Sequence, residues 1–499
     1  MRRALVLLLA LPLAAGCGPH RGPAAPVPAA TGTAEGGQPP ERAGVGRAAV
    51  EALAYPPLKF EAPKPVRFEL SNGITVFYLH DASLPLVDLV AEFKGGYAYF
   101  PRERYAAASA MASMLRTGGT QHLAPDSVDA VIEDYALNIT TASSGGRYLL
   151  AVNTLTKNLD VAFDLWVDMI RRPRFDPAQV ETWRTKELES ARRVRDFPGS
   201  LAVLEFNRVM FGDNPTGWMM RPSDLTPDKL SPAVMRATHH AIFCPGNTVL
   251  GLTGDINLAA ARSRMEAAFG HWAPCPAKLQ EPAPPRIQGG RRVYVIQKDI
   301  PQSTVVLGEA GGVLLKDNRD YYASRIANWI LGGGGFSSRL VQRLRTDEGL
   351  AYSAASVWGA SSRHERIVGA ITHTRAGSTI QATRLILSTI EGMRMQAPSA
   401  DEVNLARESI VNGFVFSFSS PAQIVARKMG FLLDEFPEDW LERYLRGVEA
   451  IRPNDVLYVM RRYVDPSNMV ILIVGNVPAF DASPDSLGPV TVLNPQDYR

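Results

Sequence analysis

Eight histidines stand in this chain of 499 residues, and no two of them have the spacing H-x-x-E-H or H-E-x-x-H. That removes the helical pairs in which two imidazoles share one face and grip a metal between them. Cysteine is scarce, with three in all and no C-x-x-C among them, which excludes a thiolate zinc knuckle and a dithiol redox motif. No G-x-S-x-G is present to build a serine nucleophile elbow, and no G-K-[ST] follows a glycine run to cradle a phosphate. The formal charge is only +3, with Lys and Arg spread along the chain, so no electrostatic footprint for nucleic acid is expected. Beyond the first residues, no apolar run is long enough to span a bilayer.

What is present is a chain 46% hydrophobic and 21% charged, enough for more than one buried core. Arg2 and Arg3 precede the apolar stretch Ala4 to Ala15, which reads as an export signal. Leu13-Ala14-Ala15-Gly16-Cys17 resembles a bacterial lipobox, with its leucine one place early. The resemblance implies that Cys17, at the end of the signal segment 1–17, is acylated and becomes the mature N-terminus, and Gly18 rather than aspartate behind it favours the outer membrane facing the periplasm. Residues 18–62, rich in Pro, Gly and Ala, cannot bury enough apolar surface to offset their ordering entropy and are expected to form a tether. In an oxidising compartment Cys244 and Cys275 either pair or remain two buried thiols, and the sequence leaves both open.

The rest is duplicated. A shift of 216 positions, the distance from Pro85 to Pro301, carries Gly95-Gly96 onto Gly311-Gly312, Tyr105 onto Tyr321, Leu115 onto Leu331 and Gly118-Gly119 onto Gly334-Gly335 without a gap. Each half opens with a β-rich run (Leu86 to Phe93; Thr304 to Leu307), a double-glycine turn and an apolar helix ending in glycines. Each closes with a helix begun by proline (Pro232; Pro453) and a turn-then-strand unit, Pro245-Gly246-Asn247 into Thr248 to Gly254 and Pro466-Ser467-Asn468 into Met469 to Gly475. Helical stretches such as Leu155 to Arg171 and Ile380 to Met395 fill the middles. The expected fold is α+β, in two homologous halves over residues 63–280 and 288–499, each a mostly antiparallel sheet with helices on one face. The proline-rich stretch Pro274 to Pro285 is the expected linker.

The duplicated half, Phe336-Ser337-Ser338-Arg339-Leu340 after a glycine run, and Leu344-Arg345-Thr346-Asp347-Glu348-Gly349-Leu350-Ala351-Tyr352-Ser353 together resemble the pitrilysin or insulinase-like family of inverted zinc metallopeptidases. The match runs from about residue 63 to the end and is similar to the small bacterial members and the mitochondrial processing peptidase, which use two such chains. The resemblance implies a clamshell of four homologous halves around a chamber for unfolded peptide. Active relatives hold zinc on a helix bearing H-x-x-E-H, with a further glutamate on a later helix. Here the corresponding helix is Ala106 to Leu115, and the ligand positions fall on Ser109, Ala112 and Ser113 or, in the alternative register, on Ala110, Ser113 and Met114. Neither set can hold a metal. Glu187 and Glu189 lie where the distal glutamate is expected and read as helix-surface charges. His239 and His240, adjacent and on different helical faces, read as a surface and an interface residue.

Active relatives also use an arginine and a tyrosine of the second half, spaced R-x-x-x-x-x-x-Y, and Arg345 and Tyr352 reproduce that pair. By resemblance these two bind substrate, donating to its carbonyls and to oxyanion charge. The blander account gives Arg345 an ion pair with Asp347 or Glu348 and makes Tyr352 a strand core residue. The glycines at 332–335 read as a helix terminator, as their counterparts Gly118-Gly119 do. The expectation is a non-catalytic, lipid-anchored envelope subunit that binds no cofactor itself and completes a zinc-bearing homologous partner acting on unfolded peptides. The alternative is a non-enzymatic scaffold or peptide-binding lipoprotein of the same fold.

Overall fold

In the computed structural model residues 63–418 and 420–494 are described. Cys17, the expected signal segment 1–17 and the whole of the expected tether 18–62 lie outside these residues. The described residues belong to one compact unit, Glu61–Arg499. They contain no helix long and apolar enough to cross a membrane.

The fold is α+β, with two six-stranded sheets. The first contains β1 (Val66–Glu69), β2 (Thr75–His80), β3 (Leu86–Lys94), β4 (Asn138–Ser143), β5 (Arg147–Leu155) and β6 (Thr248–Gly254), in the order β1-β2-β6-β3-β5-β4. The second contains β7 (Arg292–Gln297), β8 (Gln302–Ala310), β9 (Ala351–Ala360), β10 (Glu365–Arg375), β11 (Val470–Gly475) and β12 (Val490–Val492), in the order β12-β7-β11-β8-β10-β9. Five strands therefore repeat in one topology, β2-β6-β3-β5-β4 against β7-β11-β8-β10-β9. The sixth differs in origin: β1 enters from upstream and pairs antiparallel with β2, whereas β12 returns from downstream and pairs parallel with β7. Most pairings are antiparallel, but β2 with β6 and β7 with β11 are parallel, each pair being separated in the chain by three other strands of its sheet and the intervening helices.

The helices begin and end where local chemistry dictates. In the first half they are α1 (Tyr105–Thr117), α2 (Pro125–Asp134), α3 (Leu159–Arg171), α4 (Pro177–Arg193), α5 (Pro198–Phe211), α6 (Pro232–Ile242) and α7 (Leu258–Phe269). In the second, α8 (Arg319–Asn328) runs into a π-helical turn, followed by α9 (Thr379–Met395), α10 (Ala400–Val415), α11 (Pro421–Leu433), α12 (Trp440–Glu449) and α13 (Pro453–Tyr463). Proline opens α4, α5, α6, α11 and α13, its missing N–H falling where no intrahelical acceptor exists. Asp176, Ser231 and Ser420 cap α4, α6 and α11 by accepting from a backbone N–H of the first turn. Gly119 and its counterpart Gly335 both sit at positive φ, +73° and +59°, so the glycine pairs serve as helix stops, as the repeat predicts.

Inside, each sheet packs its helices over a separate core, one around Trp166, Phe269, Leu89 and Met111 and the other around Trp358, Ile326, Ile386 and Met460. On the opposite face each sheet is covered by a helix of the other half. α5 lays Leu201, Ala202, Phe206 and Met210 on Val306, Val470, Leu472 and Val474 of the second sheet. In return α11 lays Val425 and Met429 on Phe77, Val90 and Val249 of the first. This exchange explains why β6 and β11 are buried along their whole length, on both faces. Gly251 of β6 is required by it: a Cβ there would sit 2.6 Å from both Met429 Sδ and Val425 Cγ1.

Cys244 and Cys275 form a disulfide, with Cα atoms 5.0 Å apart and a sequence separation of 31, which decides the question the sequence left open. It staples the start of the linker to the segment leading into β6. Reduction, or Cys275→Ser, is expected to lower the unfolding free energy by about 3 kcal/mol, chiefly by freeing the unfolded chain. Urea unfolding with and without reductant measures this.

His240 is exposed at the surface, whereas His239 packs inward between α6 and the end of α3. Its ring stacks on Phe243 at 4.4 Å, meets Phe175 edge-on and donates through Nε2 to the Ile170 carbonyl at 2.8 Å. Desolvation pushes its pKa down to about 4. The unfolded imidazole takes a proton first, so this contribution is complete above pH 6.5 and is lost as pH falls towards 4, by up to about 3 kcal/mol. Burial raises Glu92 to about 7 and acts in the opposite sense, its contribution being lost as pH rises from 4.5 to 7. The expected result is therefore a difference: His239→Gln should show a shallower loss of stability between pH 6.5 and 4.5 than the wild type in paired urea titrations.

Candidate functional site

α1 is the helix on which a zinc site would be built. One side of it is core: Ala106, Ala107, Ala110, Met111, Met114 and Leu115 are buried. Ser109 and Ser113, one helical turn apart, are only partly buried, and Ala112 beside them is buried. The first ligand register therefore lies towards the less enclosed face and the second points into the core. Both present only hydroxyl, methyl and thioether groups. Among the described residues no three His, Cys, Asp or Glu side chains are grouped so as to hold a metal ion. This donor set does not fit zinc.

The surroundings of α1 are nevertheless tightly built. Arg102 chelates Asp224, with Nε to Oδ1 at 2.9 Å and the second nitrogen to Oδ2 at 2.5 Å, and its guanidinium lies about over the rings of Tyr105 (5.0 Å) and Trp218 (5.1 Å). The two glutamates of α4 part company. Glu189 is an exposed surface charge, accepting from Arg193 at 2.6 Å. Glu187 is partly buried, its carboxyl pKa raised by that burial, and its charge acts on Tyr105 at the start of α1. It turns inward rather than to the surface, a point that residue type alone does not reveal.

The second site is assembled by the opposite design, with an apolar anchor beneath and polar groups held out. Leu340 and Leu344 are fully buried, fixing the π-helical turn Gln342–Asp347 that carries Arg345. Gly349, at φ +59°, turns the chain into β9, of which Tyr352 is the second residue. Arg345 and Tyr352 are brought together: the guanidinium carbon lies 5.2 Å from the tyrosine ring centroid. Tyr352 is 80% exposed, and no carboxylate among the described residues lies within ion-pair distance of Arg345. Neither the ion pair with Asp347 or Glu348 nor a strand-core place for Tyr352 describes this geometry. β9 is an outer strand of its sheet, with β10 on one side and no strand on the other among the described residues.

A third residue joins them that spacing did not single out. The Phe336 ring centroid lies 4.7 Å from the Arg345 guanidinium carbon, and Phe336 is 68% exposed. The only signal in the sequence is a large apolar residue directly after a glycine run. Behind it, Gly332 allows the chain to approach β9, since a Cβ there would stand 2.3 Å from the Ser356 nitrogen. Arg339, two positions beyond Ser337, is committed to structure by donating two hydrogen bonds to the Glu402 carboxylate at 2.7 and 2.8 Å.

With this geometry in view, comparisons with known proteins are informative. The family model described as the peptidase M16 inactive domain matches residues 229–410. An uncharacterized zinc protease of Streptomyces coelicolor is 28% identical over 225 residues, 44% of this chain and 48% of that relative, so the match spans about half the length of that protein. A non-peptidase homolog, YmxG of Helicobacter pylori, is 19% identical over 404 residues, covering 81% of this chain and 92% of the relative. The crystal structure of a peptidase M16 inactive domain from Pseudomonas fluorescens superposes with a TM-score of 0.74 at 21% identity, over 83% of this chain and 98% of that one. Duplicated halves, the R-x-x-x-x-x-x-Y pair and a zinc helix without ligands thus meet in one likeness: the chain is similar to the pitrilysin-like, or M16, metallopeptidases, and over residues 229–410 to their inactive domain.

Proposed function

We propose that this chain is the non-catalytic subunit of an envelope peptidase, paired with a homologous chain that bears the intact H-x-x-E-H helix. Its part is to present Arg345 and Tyr352 to an unfolded peptide held in the shared chamber. The observation behind this reading is an asymmetry between the halves. α1 has no ligand to offer, whereas the second half holds a guanidinium and a phenol at an exposed surface, the guanidinium without an ion pair among the described residues. A planar guanidinium and a phenolic hydroxyl donate to peptide carbonyls and to oxyanion charge at a scissile bond. A peptide laid along the outer edge of β9 would be read through its backbone, in keeping with a broad range of sequences. Zinc belongs to the partner in this scheme. The acylated Cys17 and the tether 18–62 would hold the chain at the outer membrane facing the periplasm, a placement that the Cys244–Cys275 disulfide supports.

The test is reconstitution. Each homologue from the same genome that carries H-x-x-E-H is purified, and cleavage of an unfolded peptide is measured for each chain alone and for the mixture. Activity confined to the mixture is expected. Chelator-sensitive activity of this chain alone would sink the proposal, and a partner equally active without it would leave a scaffold or peptide-binding lipoprotein.

A further inference from the structure

We infer that Phe336 is a positioning and specificity residue of the Arg345–Tyr352 site, and that the peptides it favours carry an apolar, preferentially aromatic, side chain beside the backbone that Arg345 holds. The inference rests on the reading just given and goes beyond it by naming a residue and a substrate class. It starts from what a guanidinium can do. Its five N–H groups all lie in one plane, while its two faces carry no donors. A ring set against a face fixes the plane by cation–π attraction and leaves every donor free at the rim. Phe336 and Tyr352, with centroids 4.7 and 5.2 Å from the guanidinium carbon, both lie within cation–π reach of Arg345.

Phe336 is held, too. Its carbonyl accepts from Gln342 Nε2 at 2.6 Å, and Gln342 belongs to the same π-helical turn as Arg345. The hydroxyl of Ser338 donates to the Gly335 carbonyl at 2.7 Å, and the Ser338 N–H donates to it at 3.0 Å. The turn that displays the phenylalanine is thus bonded to the turn that displays the arginine. A phenylalanine fixed in this way and left 68% exposed forgoes the burial that ordinarily places this residue inside. Beside a second exposed ring and a cation that makes no ion pair among the described residues, it forms an apolar wall next to a row of donors. A peptide carbonyl at the rim would leave its neighbouring side chain against that wall, where an aromatic ring makes the best contact.

The experiment uses the full mature chain and two fluorescein-labelled unstructured dodecapeptides of glycine and serine, one with a single central phenylalanine. Fluorescence anisotropy gives the affinities. The wild type is expected to bind the phenylalanine peptide about tenfold more tightly than the plain one. Phe336→Ala should abolish that preference at an unchanged melting temperature, and Phe336→Trp should restore it, which a merely structural role would not predict. Arg345→Ala should weaken both peptides alike. If Phe336→Ala leaves the preference within twofold of wild type while Arg345→Ala weakens binding, the role of Phe336 is overturned and the proposed function stands. If the wild type binds neither peptide, or Arg345→Ala changes nothing, the proposed function falls with it.

Discussion

Replacing Arg345 by alanine should lower the turnover of the reconstituted complex by about a hundredfold or more, the usual effect of deleting one donor aimed at developing oxyanion charge. The loss should fall on both kcat and KM, since Arg345 is proposed to hold the peptide backbone in the ground state and to meet oxyanion charge in the transition state. Arg345→Lys should recover only part of it, because an ammonium keeps the charge and loses the planar fork. Tyr352→Phe is the sharper control: it keeps the ring that lies against Arg345 and removes only the hydroxyl. A tenfold or greater loss in that variant would show the phenol itself at work. Neither change should move the melting temperature, because Tyr352 is 80% exposed and Arg345 makes no ion pair among the described residues. Wild-type rates in both variants would leave the pair without a functional part.

Residues 63–280 expressed alone should fail to fold. Without the second half, Phe77, Val90 and Val249 lose the cover of Val425 and Met429, and Leu201, Phe206 and Met210 of α5 lose the sheet they lie on. At about 1.5–3 kcal/mol for each large apolar side chain returned to water, the sum is comparable with the whole stability of an ordinary domain, about 5–15 kcal/mol. Within the intact chain, Phe206→Ala should cost about 3–5 kcal/mol and should shift a single cooperative transition. Two separate unfolding steps, with only one displaced by the substitution, would show that the halves are independent after all. Mixing the two halves should recover native circular dichroism that neither shows alone.

Much of this architecture was legible because its signals are local. Pro232 and Pro453 start helices, the runs from Thr248 and Met469 become central strands, and the matched glycine pairs stop helices, each through the chemistry of a few neighbouring residues. Arg345 and Tyr352 were legible for the same reason, since one short loop joins them. What escaped is non-local. An amphipathic helix such as α5 announces that one face must be covered, and nothing in its own residues says which sheet will cover it. β12 reaches its place from the far end of the chain. Glu187 and Glu189 look alike in sequence, and only the packing of α4 against α1 turns one inward. Phe336 misleads in the reverse direction, because a large apolar residue is read as core until its exposure is seen. For Cys244 and Cys275, presence and spacing allow two outcomes, and proximity in the fold selects one.

The crossed helices also bear on how such a chain can change over generations. A side chain at Gly251 would collide with residues contributed by the opposite end of the gene, so that position can vary only in step with Val425 and Met429. Recombination that imported one half from a distant homologue would bring a sheet without its lid and a lid without its sheet. Copies born of duplication ordinarily drift apart, and these two have become dependants, free to alter their loops and exposed edges while the surfaces they lend each other stay matched.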